Sequence, residues 1–165
     1  MFTDADFASC QHSAKSTSGL WIQINTGNGA VFPIFWQAKK QGSVARSTTE
    51  SEIISLATGM FGEVLNLQTF IEYLMQKPIE LIFHQDNDAV LKILKNKYSA
   101  KLRHMNRVHK VNVASLCEVL EQEGVTAIYC PTAEQRANGF TKIIPPHEWK
   151  ATTVQMCLGD VAAVV

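Results

Sequence analysis

The chain lacks long apolar runs and an excess of positive charge, the features that would indicate a membrane segment or general binding to nucleic acid. No apolar run approaches the roughly 20 residues that a membrane helix needs. The N-terminus lacks the apolar core of a signal peptide. The formal net charge is zero, so the chain as a whole is not a polycation. We therefore expect no membrane segment, and any affinity for nucleic acid must come from local patches.

The cysteines show no pattern of a metal site or a disulfide framework. They are Cys10, Cys117, Cys130 and Cys157. None forms a Cys-x-x-Cys pair, and no histidine lies at zinc-ligand spacing from them. We expect free, mostly buried thiols in an intracellular, reducing compartment. The cytoplasm or the nucleus fits this expectation, and an organelle stays open as an alternative.

What is present is a regular alternation of strands and helices, on a length of 165 residues that suits one domain. Residues 20–25 and 31–38 alternate in polarity across a Gly-rich turn, which predicts an antiparallel hairpin. Apolar residues spaced by three and four predict a long helix over 48–76, with Ser47 and Glu50 as a capping box. Gly59 and Gly62 inside it could permit close packing against a sheet.

The remaining elements extend this sheet by parallel crossovers. We predict strands at 2–9, 79–85 and 125–130, and helices at 88–96, 104–121 and 132–142. Strand–helix–strand connections are right-handed and place the new strands parallel to each other. The sequence therefore predicts an α/β fold with a mixed five-stranded sheet, strand order 3-2-1-4-5, and helices on both faces.

Three short acidic segments carry the chemistry, at residues 3–6, 47–52 and 84–87. Asp4 lies on the first strand, Asp86 ends the fourth, and Glu52 lies early in the long helix. Ligand sites of such sheets form at the carboxyl ends of parallel strands. Clustered carboxylates raise each other's pKa, and proteins usually neutralise them with a divalent cation such as Mg²⁺ or Mn²⁺. The pattern predicts a two-metal phosphodiester-cleaving site, or the remains of one.

Taken in order, short motifs along the chain resemble the ribonuclease H domain of Copia-type retrotransposon polyproteins. The matching segments are residues 4–9, 16–19, 36–41, 47–52, 86–89, 101–104, 129–132, 135–142 and 145–146. The resemblance implies a ribonuclease H-like fold over residues 1–149, followed by a C-terminal tail over 150–165. Only three residues precede Asp4, so we expect a shortened first strand, either in a piece of a longer polypeptide or in a remnant with its own start codon.

The resemblance also implies a set of catalytic residues. Asp4, Glu52 and Asp86 match the family's metal-binding acids, with Asp4 bridging two Mg²⁺ or Mn²⁺ ions. Asn138 stands where the family has a fourth catalytic aspartate. An amide oxygen is a weaker, neutral ligand for the water-activating ion. Natural loss of activity, a deliberate Asp-to-Asn change and a tolerated variation all remain open.

A basic stretch supplies the candidate nucleic-acid contacts. Seven of the fifteen basic residues lie between Lys92 and Lys110, and no acid occurs from Ala89 to Cys117. The candidates are Lys97, Lys101, Arg103, His104, Arg107 and Lys110. Such a patch makes salt-dependent phosphate contacts, although a solvated helix face is the alternative. Of the neighbouring acids, we expect Asp6, Glu50 and Asp88 to be solvated or to cap helices.

Two functions follow from these features. The first is metal-dependent endonucleolytic cleavage of the RNA strand in an RNA–DNA hybrid, weakened by Asn138. The second is a catalytically inactive, domesticated module that acts as a structural or interaction subunit of a larger assembly. The three acids favour the first function. Asn138, the short first strand and the zero net charge favour the second.

Overall fold

The computed structural model describes residues 1–97 and 99–159, with five strands and six α-helices among them. The strands are β1 (Phe2–Asp6), β2 (Thr17–Asn25), β3 (Val31–Lys40), β4 (Leu81–Gln85) and β5 (Val125–Tyr129). The helices are α1 (Thr48–Gly59), α2 (Leu65–Met75), α3 (Asp88–Asn96), α4 (Met105–His109), α5 (Val113–Leu120) and α6 (Trp149–Gln155). None of these helices combines the length and apolar character that a membrane span requires.

The five strands form one mixed sheet in the order β3-β2-β1-β4-β5, which confirms the predicted order. β1 lies at the centre, antiparallel to β2 and parallel to β4, and β5 runs parallel to β4. All five residues of β1 pair with β2, and Asp4 lies opposite Gly19. The central position of β1 therefore places Asp4 next to the strand that ends before Asp86.

The two faces of the sheet carry cores of different size. Leu20 and Ile22 point to a large core that includes Ile53 and Met60 of the long helical segment. Trp21 points to the opposite face, where it packs with Met156 and a few other residues. This alternation is the period-two pattern of a strand that is buried on both sides. Helical elements thus cover both faces, as predicted.

The long helical segment begins as predicted but is not a continuous α-helix. The Ser47 side chain caps α1 by accepting a hydrogen bond from the Glu50 backbone N–H at 3.2 Å. A π-helical turn over Met60–Val64 separates α1 from α2. A Cβ added to Gly59 would lie 2.8 Å from Leu20 Cδ1, so this glycine does allow α1 to approach the sheet. Gly62 has no such neighbour within 4 Å.

Two predicted helices differ in the structure. The predicted helix over 104–121 is broken into α4 and α5, because Lys110 adopts the left-handed conformation with φ 59°. Asn112 then caps α5 by accepting from the Ala114 N–H at 3.0 Å. The predicted helix over 132–142 consists instead of short 3₁₀ turns, Thr132–Glu134 and Arg136–Phe140. The apolar spacing does not reveal these breaks, because they depend on side-chain caps and on contacts with the sheet.

The cysteines and the C-terminal segment complete the description. Cys117 and Cys130 are buried free thiols, whereas Cys10 is half-buried and Cys157 is exposed, so only two of the four match the predicted burial. Met156, just after α6, is buried in the smaller of the two cores, the one that contains Trp21. Of the predicted tail, residues 160–165 lie outside the described part of the chain.

Candidate functional site

Three carboxylates converge at the centre of the sheet; we call them the acidic cluster. Asp4 lies in the middle of β1, Glu52 lies early in α1, and Asp86 directly follows β4. One ligand oxygen of each lies within 4.8 Å of those of the other two. Asp4 is 3% exposed and Glu52 is 6% exposed, while Asp86 is half-buried. The structure therefore brings together the three residues that the sequence predicts as metal ligands.

Backbone contacts hold α1 against β1 beside this cluster. The Ser55 hydroxyl donates to the Asp4 backbone carbonyl at 2.9 Å and lies 3.3 Å from the Gly19 carbonyl. Ser55 follows Glu52 by three residues, so both side chains project from the same face of the helix. The contact that fixes the helix to the strand therefore also aims Glu52 at Asp4.

The cluster is electrostatically unfavourable without a proton or a cation. Burial, together with the nearby charges of Asp4 and Asp86, raises the pKa of Glu52 to about 9. Burial also raises the pKa of Asp4, although the Thr141 hydroxyl and the Lys142 ammonium partly oppose this effect. At neutral pH, Glu52 therefore holds a proton unless a cation takes its place.

The donor set of the cluster fits a divalent cation. Glu52 Oε2 is buried and makes no hydrogen bond within residues 1–97 and 99–159. Three carboxylates offer only hard oxygen atoms, which Mg²⁺ and Mn²⁺ prefer. A cation shared by Asp4, Glu52 and Asp86 would satisfy the unpaired oxygen and remove the mutual repulsion.

Asn138 lies near Asp4 and is connected to it through a lysine. The Asn138 amide donates to the Thr132 carbonyl at 2.7 Å, and its Oδ1 accepts from Lys142 Nζ. The same Nζ lies 3.7 Å from Asp4 Oδ2, which also accepts a hydrogen bond from the Thr141 hydroxyl. An ammonium group thus lies between Asp4 and the Asn138 amide.

Sequence reasoning did not assign a role to Thr141 and Lys142, although both lie in the segment 135–142 that carries the resemblance. Their approach depends on Gly19, opposite Asp4 in the sheet. A Cβ at Gly19 would lie 2.6 Å from Thr141 Cγ2 and 2.7 Å from the Ala137 carbonyl oxygen. Gly19 therefore lets the segment pack directly on β2 and reach the acidic cluster.

The basic stretch is only partly presented to solvent. Lys101, Arg107 and Lys110 are exposed, as is Arg103. Lys97 forms an ion pair with Glu121. His104 Nε2 instead lies 2.9 Å from Glu50 Oε1, and its side chain is 24% exposed. The assignment of these six residues to nucleic-acid contacts stays a prediction, and His104 is the member whose ring faces the protein.

Glu50 was expected to be solvated or to cap a helix, and the structure rules out solvation. It is 4% exposed and lies beside His104 and His109; we call these three residues the histidine cluster. Its Oε2 accepts a hydrogen bond from the Arg46 backbone N–H at 2.8 Å. Burial lowers the pKa of His109, although Glu50 opposes this effect. No motif in the sequence marks this burial, which results from the packing of α4 against the start of α1.

Comparison with solved structures defines the class of fold. The chain aligns with the LC11 ribonuclease H1 in complex with an RNA/DNA hybrid, with a TM-score of 0.55 and 14% sequence identity, over 84% of this chain and 89% of that one. Ribonuclease H1 from Halobacterium salinarum NRC-1 aligns with a TM-score of 0.52 and 12% identity, over 82% of this chain and 86% of that one. The chain therefore has a ribonuclease H-like fold, as predicted.

Comparison of the amino-acid sequence with known proteins finds a retrotransposon relative. The chain is 30% identical over 151 residues, or 90% of its length, to the retrovirus-related Pol polyprotein from transposon TNT 1-94 of Nicotiana tabacum. The predicted resemblance to Copia-type polyproteins is confirmed. The chain spans only 10% of that polyprotein. A 56-residue stretch is 39% identical to the secreted RxLR effector protein 161 of Plasmopara viticola, of which it covers 36%. No protein-family model matches the chain.

Proposed function

We propose that this domain is a divalent-metal-dependent ribonuclease H that cleaves the RNA strand of RNA–DNA hybrids, with activity weakened at Asn138. The observation that carries this proposal is the convergence of Asp4, Glu52 and Asp86 within 4.8 Å at the centre of a ribonuclease H-like sheet. Fold alone does not define a function. The buried carboxylates add a chemical argument for metal binding. Because they repel one another, a bound cation would stabilise the cluster.

Each residue has a distinct role in this proposal. Asp4, Glu52 and Asp86 would hold the Mg²⁺ or Mn²⁺ ions. When bound, the ions supply the positive charge that activates water and stabilises the leaving 3′-oxygen. The Thr141 hydroxyl orients the Asp4 carboxylate through its hydrogen bond. The products would carry 3′-hydroxyl and 5′-phosphate ends.

Substrate binding in this proposal relies on backbone contacts. The exposed cations of the basic stretch, Lys101, Arg103, Arg107 and Lys110, would contact phosphates without reading base sequence. The RNA strand would be distinguished from DNA by its 2′-hydroxyl groups and by the shape of the hybrid. A solved neighbour with this fold is described in complex with an RNA/DNA hybrid, which supports the choice of substrate.

A second candidate is an inactive descendant that serves as a subunit of a larger intracellular assembly. The arrangement at Asn138 favours it. Lys142 Nζ contacts Asn138 Oδ1 and lies 3.7 Å from Asp4 Oδ2, so a fixed cation stands near the position of the missing fourth carboxylate. A neutral amide beside an ammonium group binds a second metal ion weakly. Loss of the water-activating ion would leave a folded but inert site.

Cleavage of a labelled RNA–DNA hybrid tests the proposal. The unmodified chain should cleave weakly, and better with Mn²⁺ than with Mg²⁺. Asn138→Asp should raise the rate by about 10²-fold or more, because a bound metal charge contributes several kcal/mol to transition-state stabilisation. Asp4→Asn in that revertant should abolish the gain. Asn138→Ala is the matched control, since it removes the amide without adding a ligand.

Two results would reject parts of this account. If the Asn138→Asp protein is folded, binds hybrid and still does not cleave it, the inactive-module candidate replaces the enzyme. If the unmodified chain already cleaves at the rate of the revertant with Mg²⁺, then the role given to Asn138 is wrong.

A further inference from the structure

The histidine cluster has the separations of a metal-binding site. Glu50, His104 and His109 each offer one ligand atom, and these atoms lie within 4.8 Å of one another. Glu50 Oε1 lies 2.9 Å from His104 Nε2, and Glu50 Oε2 lies 3.5 Å from His109 Nε2. Ligand atoms around a tetrahedral zinc ion lie roughly 3.3 Å apart, because each bond to the metal is about 2.0 Å long. The two distances involve different oxygens of Glu50, and the three ligand atoms, one from each residue, lie within 4.8 Å of one another, which places them within reach of one shared ion.

The two imidazole nitrogens that face Glu50 are buried without a hydrogen bond. Neither His104 Nε2 nor His109 Nε2 has a hydrogen-bond partner among the described residues, although a carboxylate is close to both. The His109 side chain is 0% exposed. A buried polar nitrogen without a partner destabilises the folded state, so native proteins usually give it one. A metal ion would be a partner for both nitrogens at once.

Neighbouring groups hold two of these residues in a ligating orientation. Ser43 Oγ lies 2.6 Å from His109 Nδ1, which directs the opposite nitrogen, Nε2, towards the cluster. Metal-binding histidines almost always use their second ring nitrogen for such an outer contact. The Arg46 N–H occupies Glu50 Oε2, which leaves Oε1 for a metal. The cluster therefore has the outer contacts of a metal site as well as its ligands.

We propose that Glu50, His104 and His109 bind one Zn²⁺ ion. Two imidazoles and one carboxylate suit zinc, whereas Mg²⁺ and Mn²⁺ prefer oxygen ligands alone. The ion would join the start of α1 to α4 and the residue before it, and it would enter from the side on which His104 is partly exposed. Because Glu52 follows Glu50 by two residues, the ion would also fix the part of α1 that supports the acidic cluster. This proposal does not depend on whether the domain cleaves RNA.

Zinc and cobalt binding to the full chain test this inference. The protein is stripped with a chelator, exchanged into metal-free buffer and titrated with Zn²⁺ against a chromophoric competitor. We expect about one high-affinity Zn²⁺ per chain, which excess Mg²⁺ does not displace. Co²⁺ at the same site should give the visible absorption bands of a tetrahedral ion. The midpoint of thermal unfolding should rise with zinc concentration, because the ion binds only the folded state.

Substitutions assign the ion to the cluster. Glu50→Gln and His104→Gln keep side-chain size and should each lower zinc affinity by at least about tenfold, and Ser43→Ala should lower it about tenfold. His147→Gln, at an exposed histidine beside Glu148, is the matched control and should bind like the unmodified chain. Asp4→Asn tests the acidic cluster, and Cys10→Ser with Cys157→Ser tests the accessible thiols.

The outcomes separate this site from the acidic cluster. Loss of zinc in Glu50→Gln and His104→Gln, with retention in Asp4→Asn and in the cysteine variants, supports the proposal. Retention in both cluster variants, or loss in Asp4→Asn, overturns it. If the cluster variants do not fold, the unmodified protein decides: failure to bind Zn²⁺ or to give a tetrahedral Co²⁺ spectrum means that the three residues are not a metal site, and the proposal is wrong.

Discussion

Glu50 and Glu52 lie two residues apart at the start of α1, and both are buried, yet their surroundings are opposite. Glu50 faces the imidazoles of His104 and His109. Glu52 faces the carboxylates of Asp4 and Asp86. Two positions along a helix are separated by about 200° around its axis, so neighbouring acids can serve different sides of the same element. One acid is stabilised by its neighbours, whereas the other needs a proton or a cation.

Under the proposed function, this difference would separate a supporting role for Glu50 from a catalytic role for Glu52. Glu50 accepts a hydrogen bond from the Arg46 N–H and lies beside two imidazoles of the segment that packs on the start of α1. The acidic cluster is left with an unpaired oxygen on Glu52 and a raised pKa. Functional sites are where such unfavourable electrostatics persist. Changes at the two glutamates should therefore affect activity and stability in opposite ways.

The largest expected effect is on cleavage. In the Asn138→Asp protein, Glu52→Gln should lower the rate of hybrid cleavage by about 10²–10³-fold, because it removes a charged metal ligand. Glu50→Gln should lower it less than about tenfold, since Glu50 lies outside the acidic cluster. Single-turnover rates with Mg²⁺ measure both variants. Equal losses from the two changes would remove the functional distinction between the glutamates.

The next effect is on stability, and here we expect Glu50 rather than Glu52 to be the residue whose loss is destabilising. Glu50→Ala should lower the free energy of unfolding by about 2–4 kcal/mol, because it removes the carboxylate that lies beside two buried imidazoles and leaves the Arg46 N–H without its acceptor. Urea denaturation of the metal-free protein gives this value. Glu118→Ala, at an exposed acid of α5, is the control and should stay within about 0.5 kcal/mol. A similarly small loss at Glu50 would contradict its supporting role.

The packing that brings Thr141 and Lys142 to Asp4 can be tested at Gly19. Gly19→Ala should lower the free energy of unfolding by about 1–3 kcal/mol, because the new Cβ would overlap the Ala137 carbonyl. Gly62→Ala meets nothing within 4 Å and should be neutral or slightly stabilising. Thermal unfolding of both proteins measures the difference. Indistinguishable midpoints would show that the 137–141 segment does not pack on β2 as described.

The smallest effect is a gain in stability. Without metal, Glu52→Gln should raise the free energy of unfolding at pH 7 by roughly 1–3 kcal/mol, because the amide avoids the penalty of a raised acid pKa. Below pH 4.5, Glu52 is protonated in both states and imposes no penalty. Between pH 4.5 and about 9, the unfolded chain loses this proton while the folded chain keeps it, so stability falls as the pH rises.

Denaturation across this pH range checks the sign. The unmodified protein should lose stability from pH 5 towards pH 9, and Glu52→Gln should show a flatter profile. Saturating Mg²⁺ or Mn²⁺ should stabilise the unmodified protein most at the alkaline end. A stability that rises with pH in the metal-free protein, and falls in Glu52→Gln, would rule out the electrostatic description of the acidic cluster.

Much of the fold and of the acidic cluster could be predicted, because both follow from local signals and simple topology. Strand alternation and strand–helix–strand order were enough to place β1 beside β4. That placement brought Asp4 and Asp86 together, and the capped start of α1 then positioned Glu52. The helix cap at Ser47 was likewise visible as a spacing.

The remaining features depend on contacts between distant segments, which spacing does not show. The helix breaks at Lys110, directly after His109, whose side chain is buried. The apolar spacing of the sequence, in contrast, continues through this break. Glu50 has the residue type and position of a solvated helix acid, and only the approach of α4 buries it. Thr141 and Lys142 gain their place from the absence of a side chain at Gly19.

The hydrogen bond from Thr141 to Asp4 also has a consequence for the order in which the protein forms. The two residues are separated by 137 positions in the chain. The Gln135 side chain joins the same region to the Thr3 carbonyl, 132 positions away, at 3.0 Å. Contacts between such distant segments form slowly, because a long loop must close before they contribute.

A growing chain on the ribosome would therefore complete β1 to β4 and bury Asp4 and Glu52 long before residue 141 emerges. During that interval, Asp4 would lack Thr141 and Lys142 as partners, and proton uptake would be the available means of neutralising the two acids. Thr141 and Lys142, near the end of the domain, thus complete the surroundings of Asp4, near its beginning. Nascent chains truncated before residue 135 should accordingly hold the sheet more weakly in alkaline buffer than chains that reach residue 149.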